Sequence, residues 1–487
     1  MTSTPEETYV VKRLTALAVV LVSALTPQAA AIPAPPAAEP ARTAAARPVA
    51  APARPAVDFR TDLQPIDGFG FSMAFQRADL LHGARGLSPA KRREVLDLLL
   101  SKDKGAGLSI LRLGIGSSTD RVYDHMPTIL PADPGGPDAT PAYVWDGWDG
   151  GQVWLAKEAK AYGVKRFFAD AWSAPAFMKT NGSENDGGEL LPEWRQAYAN
   201  YLVQYAKFYR QEGIAITDLG FTNEPDWTAT YASMRFSPRQ AVDFLKVLGP
   251  TVRASGLKTG IVCCDAAGWD RQVAYTEAVE ADPGADAAVR TITGHRYSGP
   301  TDLPQPTDKR VWMSEWSPDG STWNEHWDDG SGYDGLAVAA DIHHTLTTGN
   351  ASAYVYWTGA SLGATRGLIQ LADPGDDYRV SKRYWALAAF SRFIRPGAVR
   401  VPATHPDPAL RVTAFRNTDG SRVIEVLNTA TTERSAAFSL RGGHDRHPDG
   451  YVTDETRSIA PADIVSTHGT TLTAKLAPRA LTTIVLD

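Results

Sequence analysis

Residues 216–227 read ITDLGFTNEPDW, and this stretch indicates the fold of the whole chain. It begins as an apolar run of strand length and continues into Asn223 and Glu224, so the glutamate lies where a buried strand opens into a loop. An α/β barrel carries its chemistry at such strand ends. A second stretch, VWMSEWS at 311–317, places Glu315 at the exit of another short apolar strand. Two carboxylates in equivalent positions predict an acid and a nucleophile.

Strand-like apolar runs alternate with amphipathic helical runs between residues 57 and 390, a pattern typical of a parallel sheet covered by helices. Eight strands can be counted, at 68–73, 108–115, 164–172, 216–222, 258–264, 289–295, 311–315 and 353–357. Helices are predicted at 88–100, 151–162, 192–212, 237–255, 270–281, 335–346 and 381–393. Eight strands in this alternation favour an α/β fold of the (β/α)8 TIM barrel type over an open sheet.

The sequence pattern changes after residue 394. Short alternating runs follow, separated by Gly, Asn, Asp and Pro, at 410–415, 422–427, 436–440, 471–476 and 480–486. Such runs predict a small antiparallel β domain. We therefore expect a catalytic barrel at 66–394 fused to a side antiparallel β-sandwich domain at 395–487.

The first 56 residues have the composition of a targeting segment and a tether. Lys12 and Arg13 precede a mostly apolar run at 14–25, and small residues follow at 28–31, which together predict a secretory signal peptide at 1–31. A membrane anchor is the alternative, but the run is shorter than the roughly 20 residues that a spanning helix needs. Residues 32–56 are almost wholly Ala, Pro, Arg and Val, which predicts a disordered leader. We expect a secreted, extracellular protein.

Composition limits the classes of partner. The chain has 487 residues, 43% of them apolar, with a net charge of -6 and no dense Lys/Arg stripe, so we expect no nucleic-acid partner. We also expect no membrane partner and a monomeric state. The only cysteines are Cys263 and Cys264, which are adjacent, so they can form a strained vicinal disulfide or remain two buried thiols.

The strand numbering places Glu224 at the end of the fourth barrel strand and Glu315 at the end of the seventh. Across one barrel mouth their carboxyl groups would lie roughly 5 to 5.5 Å apart, the separation used in retaining glycoside hydrolysis. One glutamate would protonate the leaving oxygen, and the other would attack the anomeric carbon. For either glutamate alone, a solvated or salt-bridged surface group is the alternative.

Several segments in order carry a family resemblance. They are DGFGFSMAFQRA (67–78), LRLGIGSS (111–118), FADAWSAPAFMKTNG (168–182), GFTNEP (220–225), VWMSEW (311–316) and YVYWTG (354–359). With them the chain resembles glycoside hydrolase family 30, a retaining family of clan A, and most closely its xylanase or glucuronoxylanase type. The resemblance implies that Glu224 is the acid/base and Glu315 the nucleophile. It also implies that residues 57–65 form a strand of the side β domain.

The same resemblance suggests a contact to decorated substrate. In glucuronoxylan-specific members, an arginine that matches Arg77 contacts the uronate carboxylate. A planar guanidinium suits this task because it binds a carboxylate through two parallel hydrogen bonds. An ion pair with Asp79 or another loop acid is the alternative for Arg77. Arg366, in the loop after the eighth strand, is a second candidate by position.

Other strand ends supply further candidate substrate-binding residues. Asn223 can contact the sugar 2-hydroxyl beside the acid/base. Arg112 can hold Glu315 ionised, although an ion pair that merely lines the barrel is the alternative. Trp172 and Trp357 close the third and eighth strands, where flat rings can stack on sugar faces or belong to the core.

His295 and Tyr297 close the sixth strand. Tyr297 can donate a hydrogen bond to the nucleophile, whereas we expect His295 to be a structural partner and not a proton carrier. The complete set of candidate substrate-binding residues is Arg77, Arg112, Trp172, Asn223, His295, Tyr297 and Trp357.

No cofactor and no metal ion are expected. The glycine pairs at 68–70 and 114–116 each lack the third glycine of a dinucleotide-binding loop. His343 and His344 are adjacent on a predicted helix and point apart, so they do not form a metal site.

These observations predict a secreted retaining glycoside hydrolase that cleaves β-1,4-xylan, with glucuronoxylan as the favoured polysaccharide substrate. The alternatives are another family 30 β-glycanase, of the β-1,6-galactanase or glucosylceramidase type, and a non-catalytic carbohydrate-binding protein. The catalytic pair does not select the sugar, and endo or exo action depends on whether the loop at 117–134 blocks the cleft.

Overall fold

The computed structural model describes residues 55–83, 86–122, 124–318, 320, 322–363, 366–372, 375–443 and 447–487. The predicted signal peptide and all but the last two residues of the predicted leader lie outside this range. The first described strand, β1 (Ala56–Asp58), is shorter than the strand expected over 57–65. It ends in a turn because the Asp58 carboxylate accepts hydrogen bonds from the backbone and guanidinium of Arg60.

Eight parallel strands close into a barrel, which confirms the predicted (β/α)8 fold. The barrel closes where the first strand, β2, pairs with the last, β9, as well as with β3. The strands are β2 (Gly68–Ser72), β3 (Ile110–Ile115), β4 (Arg166–Ala171), β5 (Asp218–Leu219), β6 (Gly260–Ala266), β7 (Val289–His295), β8 (Arg310–Trp316) and β9 (Ala353–Tyr356).

Helices surround the barrel and begin where the sequence offers caps. The side chains of Ser88, Ser237 and Ser381 each accept a backbone N–H of the first helical turn, and Ser237 forms a capping box with Gln240. None of the described helices is both long and apolar enough to cross a membrane. The helices are α1 (Asp79–His82), α2 (Pro89–Leu100), α3 (Gln152–Ala161), α4 (Arg195–Gln211), α5 (Pro238–Ala254), α6 (Trp269–Ala281), α7 (Pro283–Ala288), α8 (Gly335–Thr347) and α9 (Lys382–Phe393).

The barrel interior is a packed core and not a pore. A layer of apolar side chains fills it, and the indole of Trp312 within this layer donates to Asp67 Oδ2 at 2.8 Å. The members of the layer are Ile110, Phe168, Val262, Trp312, Ala353 and Val355. Because these side chains fill the interior, chemistry is confined to the mouth, where the inward-facing residues become polar.

An additional three-stranded sheet follows the last barrel strand. Its strands are β10 (Ala360–Leu362), β11 (Ile369–Leu371) and β12 (Tyr378–Val380). This sheet was not predicted from the sequence, since three-residue strands are too short to show a period of two. The connection between β10 and β11 carries Arg366.

The remaining strands form the β-sandwich. They are β13 (Val399–Val401), β14 (Ala403–Thr404), β15 (Leu410–Arg416), β16 (Arg422–Asn428), β17 (Arg434–Arg441), β18 (Asp449–Thr453), β19 (Ala460–Pro461), β20 (Val465–His468), β21 (Thr471–Leu476) and β22 (Ala480–Leu486). One sheet has the order β14-β1-β17-β21-β20 and the other β13-β15-β16-β22-β18-β19. The predicted antiparallel domain is confirmed, with one exception: β1 runs parallel to β17.

The sandwich and the barrel share one continuous hydrophobic core. Val423, Leu427 and Leu481 of the six-stranded sheet belong to the same buried cluster as the barrel helices α8 and α9. The opposite faces of β15 and β16 pack inside the sandwich, against the five-stranded sheet. The β domain therefore packs directly against the barrel through buried apolar side chains.

Candidate active site

The two glutamates both lie at the barrel mouth, but different kinds of backbone position them. Glu315 is part of β8, as predicted. The strand before Glu224 is shorter than the predicted 216–222, since β5 ends at Leu219. There the main chain leaves the sheet, and Glu224 adopts a φ of 49°. Its N–H donates to the carbonyl oxygen of Asp265 at 2.8 Å. A loop anchored to β6, and not the end of its own strand, therefore positions Glu224.

The spacing of the carboxylates restricts the reaction. One oxygen of Glu224 and one of Glu315 lie within 4.8 Å of each other. Retaining glycosidases hold their two carboxyl groups about 5 to 5.5 Å apart, whereas inverting enzymes need about 6.5 to 9.5 Å to admit a water. Both glutamates are buried at 8% and 5% exposure, so they are not solvated surface groups. The pair therefore suits direct attack by one carboxylate on the carbon whose leaving oxygen the other protonates.

Two donors hold Glu315. Arg112 Nη1 contacts its Oε2, and the hydroxyl of Tyr297 donates to its Oε1 at 3.0 Å. Burial would lower the pKa of Arg112, but the charges of Glu315 and Asp170 outweigh burial and raise it, so the guanidinium stays charged. Burial and the charge of Glu315 raise the pKa of Tyr297 well above its usual value, so the phenol stays a donor. Both contacts expected for Glu315 from the sequence are present.

Glu224 has a different neighbour, the fully buried imidazole of His295. Nδ1 of His295 lies 3.2 Å from Glu224 Oε1. Burial alone would lower the pKa of His295, but the surrounding carboxylates of Glu315, Asp265 and Glu224 outweigh burial and raise the pKa to about 10. The imidazole is therefore charged at neutral pH. His295 is therefore a buried neighbour of Glu224, and the structural role expected for it stays a prediction.

Arg112 also connects Glu315 to the barrel wall and to Asn223, the residue before Glu224. Its Nη2 donates to Asn223 Oδ1 and to Asp170 Oδ2, each at 2.7 Å. Because Oδ1 of Asn223 is engaged by Arg112, a contact from Asn223 to a sugar hydroxyl would be donated by its Nδ2. Burial and the charge of Asp265 raise the pKa of Asp170 well above its usual value.

A cavity of about 450 Å³ opens above the glutamates, a size within the range of ligand-binding pockets. Aromatic rings and two arginines dominate its walls, as expected for a site that binds flat sugar faces and polar or charged substituents. It is lined by Phe75, Arg77, Asp124, Trp172, Glu224, Trp227, Tyr231, Ala267, Tyr297, Ser298, Glu315, Trp357 and Arg366.

The strand-end indoles differ in what they can contact. Trp172 is 2% exposed and packs under Arg112, whose guanidinium lies 4.5 Å from the ring centre. Trp357 is less buried, and its ring centre lies 5.8 Å from that of Trp172. The ring of Phe75 lies edge-on to both indoles. Trp316 is covered by the guanidinium of Arg296 and does not line the cavity. Trp172 is thus mainly part of the wall, and Trp357 presents more of its ring to the cavity.

Arg77 lies at the cavity rim with one acidic partner. Its Nη1 pairs with Asp124 Oδ1 at 2.8 Å, and its guanidinium lies 5.5 Å from the ring centre of Trp357. The ion pair with a loop acid that was the alternative for Arg77 is therefore present. The acid is Asp124 and not Asp79, whose Oδ1 accepts from the indole of Trp148 instead.

The adjacent cysteines lie in the middle of β6. Cys263 and Cys264 are both buried and are joined as a vicinal disulfide. Of the two alternatives that the sequence left open, the structure has the bonded form.

Two family models match the chain. Residues 55–287 match O-Glycosyl hydrolase family 30, and residues 397–484 match the Glycosyl hydrolase family 30 beta sandwich domain. The structure of the catalytic domain of GH30 xylanase C from Talaromyces cellulolyticus is 38% identical, with a TM-score of 0.82. The match covers 89% of this chain and 99% of that one. The chain belongs to glycoside hydrolase family 30.

More distant family 30 relatives differ in the activity that their names state. Glucuronoxylanase XynC of Bacillus subtilis (strain 168) is 24% identical over 350 residues, which are 69% of this chain and 77% of that protein. Endo-1,6-beta-D-glucanase BGN16.3 of Trichoderma harzianum is also 24% identical, over 438 residues that are 82% of this chain and 84% of its own. Family membership therefore establishes a glycoside hydrolase without selecting its sugar.

This family 30 site contains residues that were not singled out from the sequence. Trp227, 51% exposed, and Tyr231, 47% exposed, line the cavity from the loop after Glu224. Two exposed aromatic residues within seven positions of a candidate acid were a signal available in the sequence. Asp265 and Asp170 are buried near Glu224 and Glu315. Their only signal in the sequence was their position near the ends of β6 and β4.

Proposed function

We propose that the protein is a secreted retaining hydrolase of β-1,4-xylan, with glucuronoxylan as its substrate. The spacing of Glu224 and Glu315, with carboxylate oxygens within 4.8 Å, is the observation that carries the retaining mechanism. The similarity to xylanase C supports xylan as the polymer. The N-terminal segment with the pattern of a signal peptide supports secretion, because a cell meets polymeric xylan outside its membrane.

In the first step, an oxygen of Glu315 attacks the anomeric carbon and forms an ester bond to it. The bond from that carbon to the glycosidic oxygen breaks, and its electron pair goes to the oxygen. Glu224 transfers its proton to this oxygen, so the leaving chain departs as a neutral alcohol. Arg112 and the Tyr297 hydroxyl contact the two oxygens of Glu315 and hold the carboxylate in place for the attack.

In the second step, a water molecule enters where the leaving chain was. Glu224, now a carboxylate, accepts one water proton while the hydroxide forms a bond to the anomeric carbon. The ester bond breaks, and Glu315 leaves as a carboxylate. Two inversions at one carbon return the original β configuration, and both glutamates regain their starting protonation states.

The uronate specificity depends on Arg77. Its partner Asp124 is 52% exposed, although the Arg77 side chain is only 17% exposed, so water screens the ion pair from the Asp124 side and the pair contributes little stability, about 0 to 1 kcal/mol. A substrate carboxylate can therefore displace Asp124 at low cost and pair with the guanidinium. Arg366 lines the same cavity, which adds a second positive charge on the surface facing the substrate. The relative named glucuronoxylanase gives independent support.

Digestion of a matched substrate panel tests the proposal. The panel contains glucuronoxylan, arabinoxylan, linear xylo-oligosaccharides, β-1,6-glucan and β-1,6-galactan, with products identified by mass spectrometry and NMR. We expect glucuronoxylan to be cleaved fastest, and the first sugar anomer in the fresh NMR spectrum to be β. Preferred cleavage of a β-1,6-linked polymer would overturn the xylan assignment, and an initial α-anomer would exclude double displacement. Tight binding without cleavage would indicate a carbohydrate-binding protein.

A further inference from the structure

Asp265 is a buried carboxylate without a role in the two steps above. It lies near the end of β6, is 1% exposed and has a φ of 56°, a left-handed conformation that is uncommon for a residue other than glycine. Such conformations persist where the surrounding structure imposes them, and they cluster at functional sites. The fold therefore keeps an acidic side chain in an unfavourable position at the barrel mouth.

Two contacts connect Asp265 to Glu224. Its carbonyl oxygen accepts the backbone N–H of Glu224 at 2.8 Å. Its Oδ1 lies 3.3 Å from Nε2 of His295, and Nδ1 of the same ring lies 3.2 Å from Glu224 Oε1. The main chain and the side chain of Glu224 are thus both joined to one residue on the neighbouring strand.

The Asp265 carboxylate also contacts the residue next to Glu315. The hydroxyl of Ser314, the residue before Glu315, donates to Oδ1. Oδ2 is buried and has no hydrogen-bond partner among the described residues. His295 Nε2 is close enough for an ion pair with Oδ1 but is too poorly aligned for a hydrogen bond. A buried carboxylate oxygen left unpaired is costly, and it calls for an explanation beyond stability.

Charged side chains from other barrel strands lie around Asp265 and His295. They are Arg112 on β3, Asp170 on β4, Glu224 after β5, His295 on β7 and Glu315 on β8. Burial would raise the pKa of Asp265, but His295 and Arg112 outweigh burial and lower it, so the group stays ionised. The imidazolium of His295 therefore lies between two acidic side chains, those of Glu224 and Asp265.

We infer that Asp265 is the positioning residue of the acid/base. It fixes the backbone of Glu224 through its carbonyl oxygen, orients the Glu224 carboxyl through His295, and places a negative charge on the other side of the His295 ring. The inference rests on the proposed function, since it assigns the acid/base role to Glu224. The negative charge of Asp265 offsets the positive charge that His295 places beside Glu224.

The test uses Asp265→Asn in the full chain, with Asp149→Asn as a matched control. Asp149 is also a buried aspartate, and its Oδ2 accepts the hydroxyls of Tyr205 and Tyr209 at 2.6 Å each, away from the catalytic pair. We measure kcat/KM against pH for each protein on a xylo-oligosaccharide and on a dinitrophenyl β-xylobioside. The second substrate has a leaving group that needs no proton.

We expect Asp265→Asn to lower kcat/KM on the oligosaccharide by about 100-fold, the range of acid catalysis, and on the dinitrophenyl glycoside by less than about 10-fold. The alkaline limb of the oligosaccharide profile should move down by about one pH unit, because loss of a negative charge weakens proton binding by every neighbouring group. The Asp149→Asn profile should keep the wild-type limb.

Equal losses on the two substrates with an unmoved alkaline limb would overturn the inference and leave Asp265 a structural role. If Asp265→Asn does not fold, Ser314→Ala serves instead. It releases one contact to Oδ1 and should lower turnover of the oligosaccharide alone, whereas equal effects on both substrates would count against the inference. A wild-type protein that is inactive on every glycan and aryl glycoside would overturn the proposed function, and the inference with it. An active wild type with an unaffected Asp265→Asn variant would overturn the inference alone.

Discussion

The hydroxyl of Tyr297 lies 3.0 Å from Oε1 of Glu315, while Arg112 contacts the other oxygen of the same carboxylate. Glu315, the proposed nucleophile, is therefore held at both oxygens, by a neutral donor and by a charged one. A neutral donor to a carboxylate can be removed without leaving an unpaired charge, so its contribution can be measured separately.

Tyr297→Phe should lower kcat/KM on xylan by about 1.5 to 3 kcal/mol of transition-state stabilisation, roughly 10- to 150-fold, the range for a hydrogen bond to a charged group. The ring that lines the cavity remains, so KM should change little. Steady-state kinetics on xylo-oligosaccharides measure the effect. A loss confined to KM would mean that Tyr297 contacts the sugar and not the nucleophile.

The two glutamates should respond differently to replacement. Glu315→Gln should abolish turnover on all substrates because no nucleophile remains. Glu224→Ala should lose about 10²- to 10⁴-fold on xylan but keep substantial activity on aryl glycosides, and added azide should accelerate it by replacing the activated water. Isolation of a β-glycosyl azide would verify the rescue. Near-native rates of either variant on xylan would contradict the assignment.

Arg77→Ala should lower kcat/KM on glucuronoxylan, with a loss of about 1.5 to 3 kcal/mol of transition-state stabilisation, because a charge-assisted hydrogen bond to the uronate is lost. Undecorated xylo-oligosaccharides should be nearly unaffected. The matched control is Asp124→Ala, which removes the ion-pair partner of Arg77 and keeps the guanidinium, so the preference for uronate should persist. Equal losses of Arg77→Ala on both substrates would mean that Arg77 only holds its loop.

Lys179 should make stability depend on pH. It is buried, donates to Ser173 Oγ at 2.8 Å and to the carbonyl of Ser233 at 2.7 Å, and burial lowers its pKa to about 7. Between pH 7 and the unfolded value near 10.5 the unfolded chain binds one more proton, so this group favours folding more as pH rises.

We therefore expect the unfolding free energy of the wild type to rise, relative to that of Lys179→Met, by about 1.4 kcal/mol per pH unit from pH 7 to 9. Urea titrations of both proteins at each pH give this difference. Other titrating groups contribute equally to both proteins, so their contributions cancel. A constant difference across the range would show that Lys179 titrates at its ordinary pKa in the folded protein.

The repeating parts of this molecule were predictable from sequence, and the irregular parts were not. The barrel followed from strands that are continuous apolar runs, and the contacts of Arg112 and Tyr297 with Glu315 followed from residues near strand ends. The shortness of β5 was not predictable, because an apolar residue such as Phe221 packs equally well in a strand or a loop. Asp265 was missed because its importance comes from contacts across the barrel with His295 and Ser314, which no local pattern encodes.

Strand β1 pairs with β17, so that Ala56 lies opposite Ser439. On a ribosome, the first of these strands emerges hundreds of residues before its partner. All eight barrel strands are available once residue 356 has been made, while β1 still lacks its main neighbour. The barrel can therefore assemble during synthesis, but the small domain combines β1 with strands near the C-terminal end and is completed only after β22 (Ala480–Leu486) has been made. A chain truncated before β17 would leave β1 as an exposed sheet edge, open to pairing with other chains.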